Sequence, residues 1–266
     1  MNLKGKYGHK ALIAGASEGI GAAYAEYLAA EGFSLYLVAR RKDPLQKLAG
    51  MLAERYSVTV RQIICDLSDE DAAGQIMSST AGDEPDIMIY NAALSHIGPF
   101  ADHPIEGHCR ATRVNMITPL RLVHHFGKKM LERQRGAIVL MSSLAGFQGS
   151  GYLAGYAAGK AYSRVLAESL WYEWRDKGVD IIACCAGATS TPGYISSAPA
   201  KASPFAPGVQ LPEEVVSECF RKLGRKPSFI TGRGNRIASF FMQRIFPRKM
   251  AVRIMGDNTR KMYGLG

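Results

Sequence analysis

The stretch KALIAGASEGIGAAYAEYLAAEGFSLYLVA (10–39) reads as strand, glycine turn, helix and second strand. KALIAG (10–15) is a short apolar run closed by glycine. An alanine-rich helical stretch follows to about Glu31, where Gly32 ends it, and FSLYLVA (33–39) is again strand-like. The turn itself is Gly15-Ala16-Ser17-Glu18-Gly19-Ile20-Gly21. Glycines there let the chain turn tightly and bring a diphosphate close to the backbone N–H groups at the positive end of the helix. Because G-x-x-x-G-x-G differs from the G-x-G-x-x-G dinucleotide fingerprint, the strand–turn–helix setting carries the reading.

Outward from this unit the rhythm continues. A helix runs to about Arg55, then VTVRQIICD (58–66) is β-branched and strand-like, and a helix follows Asp69. DIMIYNAA (86–93), a helical region 104–134, GAIVLMSS (136–143), a helix from about Tyr152 to Lys177 and VDIIACCAG (179–187) complete the alternation. Strands alternating with helices of these lengths predict a single doubly wound, Rossmann-type α/β domain, with a central parallel sheet of about seven strands flanked by helices on both faces. That domain is assigned to residues 1–232, and a basic amphipathic extension, packed on the same domain, to 233–266. Residues 187–212, rich in proline, serine and glycine, interrupt the pattern and suit a mobile cover over a ligand, with a plain surface loop as the alternative.

Composition narrows the class. With 266 residues, 47% apolar and 21% charged, the chain has enough sequence for one large core. Its five cysteines lack metal-ligand spacing, and Cys65, Cys184 and Cys185 sit in apolar strand-like runs, so free thiols in a reducing compartment are expected. No secretory leader and no run of about 18 apolar residues is visible. A cytoplasmic protein is expected, with peripheral membrane contact through the basic segment left open. The net charge of +10 is concentrated near the end: from Arg221 onward twelve Lys/Arg face one acid, Asp257. In NRIASFFMQRIFPRKMAVRIM, Ile237, Phe240, Phe241 and Ile245 fall at helical spacing among arginines. Two readings stay open: a helix docking on an anionic membrane or an acyl-thioester phosphate, or a final helix packed on the domain or a second subunit.

The glycine loop after strand one, together with Tyr156-x-x-x-Lys160 far downstream, resembles the short-chain dehydrogenase/reductase superfamily, and in particular its NADP-preferring members, over residues 9–232. Ser143 lies thirteen residues before Tyr156, and Asn115 stands in RVNMITPL. The resemblance implies an oxidoreductase in which Tyr156 is the acid/base, Lys160 its electrostatic partner, Ser143 the donor to the substrate oxygen, and Asn115 the holder of a water that links the lysine to solvent. Ser142 is read as structural. Four residues apart on a helix, Tyr156 and Lys160 share a face. A phenol with a reference pKa near 10 needs a neighbouring cation to act at neutral pH, which is the physical sense of that pair. Tyr152 has no lysine at the same offset and is expected to border the substrate.

For the cofactor, the resemblance implies contacts from Gly15, Ser17, Glu18, Gly19, Ile20, Gly21, Arg40, Asp66, Leu67, Asn91, Tyr156, Lys160 and Thr191, with Thr189 as a second candidate. No acid closes the second strand, and Arg40 stands where NADP-preferring members place a basic residue, so NADP(H) is expected over NAD. Glu18 argues the other way unless an arginine pairs with it. Asn91-Ala92-Ala93 replaces the family's usual Asn-Ala-Gly, with Tyr90 where another Asn is common. The substrate is expected to be a small carbonyl or alcohol, a lipophilic ketone or 3-oxoacyl compound among the candidates, and the assembly a homodimer or homotetramer. Trp171 and Trp174 are assigned to core or subunit interface, and His96 to a solvated loop. Neither a metal site nor nucleic-acid binding is expected. Two rival readings are a non-catalytic NADP-binding regulator and a membrane-surface protein on the same fold.

Overall fold

The apolar runs become the buried strands of one parallel sheet in a computed structural model that describes residues 2–197 and 208–265. Strands β1 (Lys10–Ala14), β2 (Ser34–Ala39), β3 (Val60–Ile64), β4 (Ile87–Tyr90), β5 (Gly136–Ser143), β6 (Val179–Ala186) and β7 (Ser228–Ile230) lie in the order β3-β2-β1-β4-β5-β6-β7. Every neighbouring pair is parallel. Central strands such as β4 and β5 are buried along almost their whole length because helices cover both faces. Edge strand β3 instead exposes Arg61 and Gln62, which discourages further pairing. The strand order reverses between β1 and β4, and the crevice at their C-terminal ends is where ligands enter such sheets.

One face is packed by α1 (Leu3–Tyr7), α2 (Gly19–Ala30), α3 (Lys42–Tyr56) and α9 (Pro212–Lys222). The other is packed by α4 (Ala72–Ser79), α6 (Thr118–Glu132) and α7 (Ala154–Trp174). Around the ends lie α5 (Ile105–Thr112), α8 (Pro192–Ser196), α10 (Arg233–Phe240) and α11 (Arg248–Met262). Trp174 is core: its ring fills the space above Gly127, where a Cβ would stand 2.5 Å from Cη2. All five cysteines are free, and only Cys109 is exposed. Of the segment read as a cover, residues 198–207 lie outside the described residues.

Three local features depart from the expected pattern. The short α1 had no clear periodicity; it is tied down by Tyr7, whose hydroxyl donates to Asp180 Oδ2 at 2.7 Å. The region 104–134 is not one regular helix, because a π turn at Arg113–Ile117 separates α5 from α6. Pro119 explains it: without an N–H it cannot serve the carbonyl one turn back, and its ring displaces that carbonyl. In the widened turn the Thr118 N–H bonds Arg113 O, which leaves Val114 O with no helical donor, since the residue five ahead is Pro119. The buried Tyr90 hydroxyl supplies the donor at 2.6 Å. Tyr90 is thus fitted to the π turn. Finally, the basic segment is broken at Pro247 into α10 with a π turn (Phe241–Ile245) and α11, and Ile237, Phe240, Phe241 and Ile245 remain exposed. Among the described residues no helix is long and apolar enough to cross a membrane.

Tyr90→Phe is expected to destabilise the fold by about 1–3 kcal/mol, the cost of a buried carbonyl left without a donor. Urea unfolding of the two proteins checks this, and an unchanged midpoint contradicts it.

Candidate active site

The crevice is built on the glycine turn. Gly15 has φ +82, and a Cβ there would lie 2.7 Å from the Ala92 nitrogen; a Cβ on Gly21 would fall 1.9 Å from Gly15 O. Only hydrogen at both positions lets α2 begin against the end of β1. Asn91 Nδ2 donates to Gly15 O at 2.9 Å and fixes the turn from the β4 side. Gly19 and Ile20 open α2, with Ile20 packed against the core. The result is a cavity of about 340 Å³ lined by Gly15, Ser17, Glu18, Arg40, Arg41, Asp66, Leu67, Ala92 and Arg110. Free N–H groups at a helix start, a cradle that a single Cβ would fill and a rim of arginines fit a dinucleotide phosphate.

The acid inside the loop has a partner. Glu18 Oε2 lies 2.6 Å from Arg41 Nη2. Asp66 is approached by Arg40 at 3.6 Å and Arg110 at 3.4 Å, and accepts from the Ser68 N–H at 2.9 Å and the Ser68 hydroxyl at 2.7 Å. Burial opposes ionisation of Asp66, but these hydrogen bonds and the two guanidiniums outweigh it and hold its carboxyl below the ordinary value. Arg110 was not legible beforehand: it lies on α5, and nothing local says which way that helix faces. Thr191 caps α8, and its methyl lies 2.8 Å from the place a Gly19 Cβ would take, so it stands over the glycine loop. Thr189 is buried and donates to Gly187 O at 3.1 Å.

The other residues meet where β5 ends and α7 begins. Ser142 donates to Lys160 O at 2.7 Å, and Lys160 Nζ donates to Met141 O at 2.8 Å. A Cβ on Gly146 would stand 2.7 Å from the Lys160 carbonyl carbon, so α7 rests directly on this turn. Tyr156 occupies the first turn of α7 with the Lys160 ammonium 5.6 Å from its ring centre. Ser143 Oγ accepts from the Ala145 N–H at 3.2 Å and reaches the Tyr156 hydroxyl. The side chain of Asn115 is engaged by the segment after β4. It is buried in the π turn, donating to Leu94 O at 2.7 Å and accepting from Leu94 N at 3.0 Å. Gly159 permits that closeness, since its Cβ would lie 2.8 Å from Asn115 Cβ.

Burial pushes the Lys160 ammonium down to about 8. Burial likewise raises Tyr156, the hydrogen bond from Ser143 lowers it, and Tyr263 raises it, for a net upward shift. The lysine-driven depression read from the sequence is therefore not produced by the protein groups alone, which leave Tyr156 a phenol, the form that donates a proton. His96, His103 and His108 gather with ring centres 5.2–6.0 Å apart; His96 lies half-buried in the loop after β4, its Nε2 meeting Gly107 O at 3.1 Å. Among the described residues no group of three or more His, Cys, Asp or Glu is placed to hold a metal.

The short chain dehydrogenase family model matches residues 9–201. A 7beta-hydroxysteroid dehydrogenase of Collinsella aerofaciens is 36% identical over 240 residues, 89% of this chain and 90% of that one. A structure solved for a study of 7beta-hydroxysteroid dehydrogenase stereoselectivity superimposes with a TM-score of 0.88 at 34% identity, covering 96% of this chain and 99% of its own. A short-chain dehydrogenase from Sphingobium yanoikuyae, solved in complex with NADPH, gives 0.73 at 28% identity, covering 84% and 87%. The chain belongs to the short-chain dehydrogenase family and is an oxidoreductase of that family. The family uses a nicotinamide dinucleotide.

Because Lys160 sits near 8 in the fold and near its ordinary 10.5 when unfolded, its contribution to stability is full above pH 10.5 and is lost as pH falls through 8. The stability difference between wild type and Lys160→Met should therefore move in favour of wild type between pH 7.5 and about 10. Denaturant unfolding across that range checks it, and a pH-independent difference contradicts it.

Proposed function

We propose that the protein is an NADP(H)-dependent reductase of a bulky lipophilic ketone, of the kind a hydroxysteroid dehydrogenase acts on, and that it oxidises the corresponding alcohol in the reverse direction. The observation that carries the reading is the convergence of Ser143, Tyr156 and Lys160 at one end of the sheet beside a phosphate cradle. The 7beta-hydroxysteroid dehydrogenase relative supports the substrate class. The NADP(H) assignment is supported by Arg40, Arg41 and Arg110 on the cavity rim, by the pairing of Glu18 with Arg41, and by the relative solved with NADPH. A planar guanidinium matches a ribose 2′-phosphate in a way that a 2′-hydroxyl does not reward.

The cofactor would lie along Gly15, Ser17, Gly19, Arg40, Asp66 and Asn91 with its nicotinamide ribose at Lys160 and its ring near Thr191, and when bound it supplies the hydride. The protein groups manage the proton. Tyr156 donates it to the substrate oxygen, and Ser143 donates a hydrogen bond to the same oxygen, lowering the energy of its developing charge. Lys160 stabilises the phenolate that remains, a stronger effect in a dry site than in water. Asn115 acts through Leu94, holding the segment after β4 against α7 so that substrate and phenol stay aligned.

Tyr156→Phe should lower kcat by roughly 10²–10⁴-fold with cofactor affinity retained, as expected for loss of a positioned proton donor. Steady-state rates with steroid and smaller ketones, paired with cofactor titration, test this; near-normal turnover in the variant contradicts it. Arg40→Asp should invert the ratio of kcat/KM for NADPH over NADH, because a carboxylate repels the 2′-phosphate and accepts from a free 2′-hydroxyl. An unaltered ratio would remove Arg40 from the cofactor site.

A further inference from the structure

The basic C-terminal segment has no part in the chemistry above, and its first helix is turned inside out. A surface helix ordinarily buries its apolar stripe and offers its polar side to water. In α10 the side against the domain is polar: Asn235 and Ser239, one turn apart, are buried. Asn235 Nδ2 donates to Gln210 Oε1 at 3.1 Å, and a Cβ on Gly187 would stand 2.4 Å from that nitrogen, so the amide is held against the end of β6. Gln243, a turn further on, donates to the Ser239 hydroxyl. The outward side carries Ile237, Phe240, Phe241 and Ile245, each between 46% and 61% exposed, with the two phenyl rings edge to face at 5.9 Å.

Positive charge surrounds that apolar side. From Arg221 onward the chain holds twelve Lys/Arg and one acid, Asp257. Among the described residues after Gly232, Arg236 alone is paired with a carboxylate, Glu218 at 2.6 Å. Arg233, Arg244, Lys249, Arg253, Arg260 and Lys261 are exposed and have no acid partner there. The second helix is held in place: Arg248 donates to Phe147 O at 2.7 Å, and Val252 and Gly256 close on Gly149 and Gly151 along the loop after β5. The cations are therefore presented by a helix fixed on the domain.

We propose that the outward side of α10 and its π turn docks on an anionic lipid bilayer. Ile237, Phe240, Phe241 and Ile245 enter the boundary between headgroups and acyl chains, and the basic side chains meet the lipid phosphates. Charge decides between this occupant and a second copy of the chain. Two-fold pairing apposes the same patch from both subunits, which here presses uncompensated cations against their own copies, whereas an anionic headgroup layer neutralises them. A cluster of apolar side chains rimmed by cations gains from a surface that supplies both acyl chains and negative charge. The docking uses no residue of the crevice and is independent of the reductase reading.

The test is a vesicle titration read by flotation, using the full-length protein with phosphatidylcholine alone and with phosphatidylcholine carrying about one-third phosphatidylserine. Wild type should float with the mixed vesicles and not with the neutral ones, and about 0.5 M salt should release it by screening the surface charge. Phe240→Gln combined with Phe241→Gln should weaken binding to mixed vesicles roughly a hundredfold, about tenfold for each ring withdrawn from the bilayer. Phe240→Leu combined with Phe241→Leu, which keeps the apolar surface, should restore most of it. Arg244→Gln should weaken binding about fivefold, the effect of one charge near an anionic surface. Unchanged urea midpoints show that the variants are folded, and the salt release is read on the wild type alone. A wild type that floats with neither kind of vesicle, or with both alike, overturns the docking. A wild type that ignores vesicles and forms an assembly that the Phe240→Gln, Phe241→Gln protein does not form overturns it too, and gives this face to a second copy.

Discussion

Everything at this site depends on how closely α7 rests on the end of β5. Gly146 removes the side chain that would keep them apart, Ser142 donates to the Lys160 carbonyl, and Lys160 returns a bond to Met141. This seat is buried and hydrogen-bonded from both elements, so the helix cannot slide along the strand without breaking polar contacts in a dry environment. Ser143 and Tyr156 project from the two elements that it joins, and their alignment is inherited from it. The opposite side of α7 is held in the same way, with Gly159 admitting Asn115 and Asn115 clamping Leu94. The placement of Ser143 and Tyr156 is thus set by buried bonds between side chain and backbone, which hold geometry more firmly than exposed side chains do.

Electrostatics follow from that burial. Lys160 is kept near 8 and Tyr156 above its ordinary value by the same low-polarity surroundings. A phenol that keeps its proton suits reduction, and a lysine close to its titration point responds readily to a neighbouring phenolate. At the cofactor end the logic is reversed: Arg40, Arg41 and Arg110 are at least half exposed on their side chains, and two carboxylates, Glu18 and Asp66, hold them in place. A cationic rim arranged in this way would accept a phosphate by exchanging partners rather than by creating an unbalanced charge.

The sequence and the fold agree wherever the signal was local. Gly15 and Gly21 had to be glycine for the turn to close, the strands were continuous apolar runs, and Ser143, Tyr156 and Lys160 lay at spacings a strand end and a helix bring together. What could not be read was tertiary. Whether Glu18 would find an arginine depended on how the loop faces the residues after β2, and Arg110 depended on the orientation of α5. Tyr90 looked like an unexplained replacement because its partner, Val114 O, becomes available only once the π turn has formed. The signal for that turn was present, as Pro119 in RVNMITPL, and Pro247 likewise marked the break in the basic segment. The path of α11 along the loop at 147–151 had no such marker, since three glycines and a valine meeting across a hundred residues leave no periodic trace.

The central claim is that Ser143, Tyr156 and Lys160 hold a ketone for hydride transfer. The most direct measurement uses NADPH carrying deuterium at the transferable C4 position with a steroid ketone, and mass spectrometry of the alcohol formed. The account predicts one deuterium on the carbinol carbon of a single stereoisomer, and labelled alcohol formed roughly 10²–10⁴-fold more slowly by the Tyr156→Phe protein. Failure of the wild type to form alcohol, or alcohol formed without the label, would contradict it.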